Sequence, residues 1–132
     1  MKDKKRVFMD KRPQIYDPRI MKYARDKTFY GEIERPTFSS KRSNVACGDS
    51  LGITGIIKDG NITEIKFSGS GCMISQAAAA MLLEKVKGQS VEFAQSLTFD
   101  DMQKMLGIEL GFLRKQCAEL PLKILHEALS TC

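Results

Sequence analysis

The stretch ACGDSLGITGIIKDGNITEIKFSGSGC, Ala46 to Cys72, decides the fold. Asp59-Gly60-Asn61 is a hairpin-turn signal, with Leu51, Ile53, Ile56 and Ile57 before it and Ile62, Ile65 and Phe67 after it. Cys47 stands roughly thirteen residues before Gly60 and Cys72 roughly twelve after it. At about 3.3 Å per residue the two arms match in length, so an antiparallel hairpin brings Cys72 back to the end where Cys47 and Asp49 sit. The expected product is a site of two thiols and one carboxylate, built by one supersecondary unit.

The rest of the chain sets the bounds around that unit. Its 132 residues suffice for one domain with a core and are too few for two. An apolar fraction of 42% and a charged fraction of 28% are those of a soluble globular protein. No apolar run approaches the length of a membrane span. Met1 to Arg12 is too charged for a secretory signal, and Asp3 and Asp10 argue against a transit peptide. The expected location is therefore cytoplasmic, with Cys47, Cys72, Cys117 and Cys132 as reduced thiols. None of them forms a C-x-x-C pair, which excludes zinc ribbons and thioredoxin-like motifs. Much of the formal charge of +5 comes from Lys2, Lys4, Lys5, Arg6, Lys11 and Arg12. Residues 1–16 read as a basic flexible arm ahead of a single domain over 17–132, and nucleic-acid binding is disfavoured.

Asp17-Pro18 reads as an N-cap followed by the first position of a helix, with Ile20, Met21 and Ala24 on one face and Gly31 as its stop. A short first strand is expected at 33–38 or 43–46, and the hairpin strands at about 50–58 and 62–68. After Cys72 the period changes to that of a helix: Ile74, Ala77, Ala78, Met81, Leu82 and Val86 recur at steps of three and four, and Gly88 ends the run. Thr98 with Asp101 resembles a capping box. A last helix is expected over about 116–130, with Leu120, Ile124, Leu125, Ala128 and Leu129 facing inward. Pro121 fits most simply in its first turn, which starts the helix at or near Cys117.

Cys72 opens one helix and Cys117 is expected to open another, and helix N-termini favour thiolate over thiol. A carboxylate such as Asp49 is a harder and more weakly held ligand than a thiolate. Three soft ligands and one hard one suit either tetrahedral zinc or an iron–sulfur cluster that must later leave. Asp49 also has a plain reading as a turn residue after Gly48. Arg114 and Lys115 are either a solvated basic turn or stabilisers of a thiolate or persulfide at Cys117. His126, about two turns beyond Cys117, reads as a surface or packing residue, and Cys132 as an incidental thiol.

With these residues in place the chain resembles the U-type iron–sulfur scaffold family: IscU, SufU and the NifU N-terminal domain. The resemblance is carried by Ala46-Cys47-Gly48-Asp49, by Ile65 to Phe67 leading into Gly69-Ser70-Gly71-Cys72 and the following Met73 to Ala78, by Lys87-Gly88-Gln89-Ser90 and by Arg114 to Ala118. It covers roughly residues 17–130. It implies an α+β domain with a small antiparallel sheet, about three-stranded, and helices packed on one face. It implies Cys47, Asp49, Cys72 and Cys117 as the ligand set, with Cys117 or Cys47 as the persulfide acceptor and Arg114 beside it. Family members accept sulfur from a cysteine desulfurase and either assemble a 2Fe–2S cluster for apo acceptor or carrier proteins, or hold zinc as a sulfur relay. Gln116 stands where IscU members have histidine, and Leu110 to Arg114 replaces their chaperone-recognition motif. Arg114 is SufU-like, while the span from Cys72 to Cys117 lacks the SufU insertion.

The leading expectation is a transient 2Fe–2S scaffold, non-enzymatic in itself. A zinc-dependent sulfurtransferase is the alternative, and a non-catalytic zinc-stabilised interaction module the third reading. No membrane partner is expected.

Overall fold

A type I′ hairpin turn, one of the two-residue turns that match strand twist, needs positive φ at both central residues. Asp59 (φ 53°) and Gly60 (φ 78°) provide it. In the computed structural model of the chain, residues 17–131 are described. Residues 1–16, Cys132 and the side chain of Cys47 lie outside the described residues, and with them the expected basic arm.

Around the turn run β2 (Asp49–Lys58) and β3 (Asn61–Ser70). They pair antiparallel from Lys58 opposite Asn61 to Ser50 opposite Ser70, with one irregularity at Ile56/Ile57. Asp49 and Gly71-Cys72 thus meet at the open end, as the arm lengths require. The sheet is completed by β1 (Phe38–Asn44), in the order β1-β2-β3, with Asn44 opposite Asp49. This strand spans the gap between the two segments expected from sequence, 33–38 and 43–46, and overlaps the end of the first and the start of the second. Its text, FSSKRSN, carries no apolar alternation, and its extended form comes from hydrogen bonding along β2 rather than from a pattern of its own. The free edge of β3 is partly covered by 29–31: the Phe67 amide donates to the Phe29 carbonyl and the Gly31 amide to the Phe67 carbonyl, both at 2.8 Å.

The inner face of the sheet presents Phe38, Leu51, Ile53, Ile65 and Phe67 to the helices. α1 (Pro18–Arg25) begins as read, with Asp17 Oδ1 accepting from the Arg19 amide at 2.8 Å, but it stops at Asp26 and not at Gly31. α2 (Met73–Val86) is apolar on nearly every side, which places it inside the core, in contact with α1, with β3 and with the last helix. Its run Ala77 to Ala80 is wholly buried, and these small side chains let the neighbours approach closely. α3 (Val91–Ser96), capped by Ser90, is one short helix the sequence reading missed. α4 (Phe99–Leu106) starts on the Thr98–Asp101 capping box, with both reciprocal bonds made. α5 (Phe112–Ser130) closes the described chain.

The start of α5 corrects an expectation. The helix begins at Phe112, so Pro121 is in its interior and Cys117 lies in its second turn, not at an N-terminus. Proline there removes one helical bond and costs about 3 kcal/mol. Burying Leu120, Leu122, Ile124 and Leu125 along the same helix outweighs that, at about 1.5–3 kcal/mol for each fully buried aliphatic side chain. Gly111, a poor helix former, sets the start instead. The chain is an α+β domain: a three-stranded antiparallel sheet with five α-helices, among the described residues, packed against it. Among these residues no helix is long and apolar enough to cross a membrane.

Candidate metal centre

Three elements converge at the open end of the hairpin. A 3-10 turn, Val45–Cys47, leads through Gly48 into β2, so Asp49 is the first residue of the central strand. β3 ends at Ser70, and Cys72 is the N-cap of α2. α5 brings Cys117 in from the other side of the core, where it is fully buried. Candidate ligand atoms of Asp49, Cys72 and Cys117 all lie within 4.8 Å of one another. Cys47 closes the 3-10 turn two residues before Asp49, and its side chain lies outside the described residues.

Asp49 is only 2% exposed, which is unusual for a carboxylate. Its Oδ1 accepts from the Cys72 amide at 2.8 Å. Its Oδ2 is the only buried side-chain oxygen or nitrogen without a hydrogen-bond partner among the described residues. Such an atom costs about 1–3 kcal/mol, more when charged. A cation shared with the nearby sulfurs would remove that penalty, so the donor set fits a metal. About 2.3 Å from metal to sulfur puts the sulfurs of a tetrahedral site roughly 3.8 Å apart, which the 4.8 Å limit on these atoms accommodates.

Cys72 is held from behind. Its Sγ accepts from the Ser75 amide at 3.5 Å and its carbonyl from the Ser75 hydroxyl at 3.0 Å. Cys72 is a free thiol, whereas Cys117 is disulfide-bonded. Four reduced thiols were expected, so that expectation is corrected at Cys117: its sulfur becomes a ligand or acceptor only after reduction. Gly69 (φ 106°) precedes this corner, and a β-carbon there would run into the Ser50 carbonyl oxygen. The Tyr30 hydroxyl donates to the Gly69 carbonyl at 2.9 Å and ties the covering segment to the same corner.

The profile of the NifU-like N-terminal domain family matches residues 15–131. The chain belongs to that family. An iron–sulfur cluster assembly scaffold protein, IscU, of Thermotoga maritima is 36% identical over 91 residues, which is 69% of this chain and 63% of that protein. The zinc-dependent sulfurtransferase SufU of Bacillus subtilis is 42% identical over 65 residues, 47% of this chain and 44% of that one. The crystal structure of a candidate SUF-system cluster scaffold from Fervidobacterium islandicum superposes with a TM-score of 0.79 at 26% identity, covering 88% of this chain and 97% of that one. The matched segment is thus less than two thirds of the Thermotoga and Bacillus relatives.

Other residues singled out from sequence fall as follows in this NifU-like domain. Arg114 is half-buried, one helical turn before Cys117. Gln116 lines a cleft of about 470 Å³ with Arg42, Val45, Phe112, Lys115 and Glu119. His126 is away from the site: its Nε2 lies 3.1 Å from the Ala94 carbonyl and links α5 to α3, a packing role. Sequence reasoning overlooked Gly71 and Ser75 as parts of the site, although the Gly-Ser-Gly run before Cys72 marked a close backbone approach.

Proposed function

We propose that this NifU-like domain is an iron–sulfur cluster assembly scaffold, with Cys47, Cys72 and Cys117 as thiolate ligands and Asp49 as the exchangeable one. The observation that carries the reading is the buried Asp49 carboxylate, which has an oxygen within 4.8 Å of two cysteine sulfurs and an Oδ2 without a hydrogen-bond partner. A thiolate grips iron more firmly than a carboxylate oxygen does, so the bond to Asp49 is the first to open when a cluster is handed on.

Sulfur would arrive from a cysteine desulfurase. The reduced Cys117 or Cys47 thiolate attacks the terminal sulfur of the donor's persulfide, the donor's S–S bond breaks, and the donor cysteine leaves as a thiolate. The acceptor then carries the persulfide, and a two-electron reductant releases it as sulfide for the cluster. Arg114, one turn from Cys117, supplies positive charge on the approach side. Val45 (90% exposed), Phe112 (78%) and Leu113 (52%) form an apolar rim next to Cys47 and the start of α5. That rim suits transient docking of the sulfur donor and of apo acceptor or carrier proteins. The proposed setting is the cytoplasm, where thiols are kept reduced.

The same donors also fit one tetrahedral zinc, and the likeness to a zinc-dependent sulfurtransferase supports that second reading. When bound, zinc would lower the pKa of an acceptor thiol and hold it as thiolate.

Anaerobic reconstitution of the reduced chain with iron, cysteine and a cysteine desulfurase separates the readings. Visible cluster absorption with acid-labile sulfide is the expected result. No cluster and one tightly held zinc per chain would overturn the scaffold. Mass spectrometry then decides the remainder: one added sulfur on a site cysteine indicates a relay, and none indicates an interaction module.

A further inference from the structure

Gly71 stands between the two side chains that shape the site. A β-carbon built on it would lie 2.6 Å from Asp49 Oδ1, 3.1 Å from Asp49 Cγ and 2.4 Å from Ser75 Oγ. All three distances are shorter than ordinary van der Waals contact. Both neighbours are buried, Asp49 at 2% and Ser75 at 0% exposure, so neither can swing into solvent. Gly71 is also absent from the residues of positive φ, so its backbone alone would accept alanine. Space makes this position a glycine.

The carboxylate occupies the space that the missing side chain leaves. From there Oδ1 is fixed on the Cys72 amide at 2.8 Å, and Oδ2 is left without a protein partner. One oxygen is committed and one is free. A carboxylate anchored in this way offers a metal a single oxygen, not a chelating pair. The wall opposite Asp49 is Ser75, whose hydroxyl is in turn held on the Cys72 carbonyl at 3.0 Å.

We propose that Gly71 is a positioning residue: by lacking a side chain it seats the Asp49 carboxylate as a one-oxygen ligand beside Cys72 and Cys117. The proposal rests on Asp49 being a ligand, and the test keeps the two apart. The reduced chain, its Asp49→Ala, Gly71→Ala and Gly71→Ala/Asp49→Ala variants are titrated with Co2+ under anaerobic conditions. Affinity and the visible d–d spectrum are the readouts.

The Asp49→Ala variant is expected to lose about tenfold or more in Co2+ affinity and to change the spectrum. If it does neither, Asp49 is not a ligand, and both the ligand assignment and this inference fall. With that effect present, Gly71→Ala is expected to reproduce it, and the double variant to match Asp49→Ala within about twofold, because of the two side chains the methyl group would strike, Asp49 and Ser75, only Asp49 is a ligand. A Gly71→Ala chain with wild-type affinity and spectrum, or losses that multiply in the double variant, would overturn the role of Gly71 alone. Should Gly71→Ala fail to fold, a Gly71→Ala/Asp49→Ala/Ser75→Ala variant removes both groups its methyl would strike, and recovered folding with the Asp49→Ala affinity is expected. A triple variant that stays unfolded would refute the proposal.

Discussion

Replacing Asp49 with alanine should leave the metal-free protein almost as stable as before while abolishing most of what a metal adds. One hydrogen bond is lost, the charge-assisted one from the Cys72 amide to Oδ1, worth about 1.5–3 kcal/mol. Removed with it is the penalty of the buried, partnerless Oδ2, about 1–3 kcal/mol. The two largely offset, so the unfolding free energy of the reduced, metal-free chain is expected to move by no more than about 2 kcal/mol. Breaking a fully satisfied buried charge pair would instead cost about 3–5 kcal/mol. Zinc at a hundredfold excess over its Kd stabilises the native protein by about 2.7 kcal/mol. A site ten- to a hundredfold weaker gains only about 1.4 to 0.4 kcal/mol at the same zinc concentration. At roughly 3–4 °C per kcal/mol for a chain of this size, the zinc-dependent rise in Tm should be about 4–8 °C smaller in the variant. Urea unfolding and thermal melts of reduced protein, with and without zinc, measure both quantities. A metal-free loss above about 3 kcal/mol would make Asp49 a structural keystone and not a poised ligand. An equal zinc gain in both proteins would refute ligation.

Three further outcomes are expected. Gly55→Ala should destabilise the domain by about 1–3 kcal/mol, because its β-carbon would enter the Phe38 ring across the β1–β2 pair, and urea denaturation reads the loss. Tyr30→Phe removes the bond to the Gly69 carbonyl, worth about 0.5–1.5 kcal/mol, so amide hydrogen exchange at 69–71 should quicken without a change of fold. The backbone and then the hydroxyl of Thr98 hydrogen-bond Asp101 and hold its carboxyl below the usual range. The folded-state pKa being depressed, the stabilisation is complete above the unfolded value and is lost as pH falls through the folded one. The difference in Tm between wild type and Asp101→Ala should therefore be full at neutral pH and vanish in strong acid; a difference that persists there would contradict the linkage.

How far the fold could be read depended on how local its causes are. The hairpin, the Asp17-Pro18 start of α1 and the Thr98–Asp101 box each rest on a few adjacent residues whose chemistry permits few alternatives, and each is present. β1 is different: Phe38 aside, its residues are polar, and its bounds follow from hydrogen bonding along β2. α3, a helix of six residues, is too short to show a period. Pro121 misled the reading of α5, because tertiary burial along the helix outweighs the local penalty of a proline. The site divides in the same way. The meeting of Asp49 with Cys72 was legible from strand length, since covalent spacing fixes it once the turn is known. The arrival of Cys117 was not, because it depends on how α5 packs across the core, and only the family resemblance anticipated it. The crowding at Gly71 involves Asp49, far away in sequence, and Ser75 one helical turn on, and no pattern along the chain displays it.

Cluster release is where a scaffold and a zinc relay differ most. The decisive measurement loads the reduced protein with a cluster anaerobically, mixes it with an apo-ferredoxin and follows the ferredoxin's circular dichroism. Transfer of the cluster is expected, slowed at least about tenfold by Asp49→Ala, because an exchangeable carboxylate is what opens the site. A protein that never acquires a cluster, or one whose transfer is indifferent to Asp49, would contradict the account.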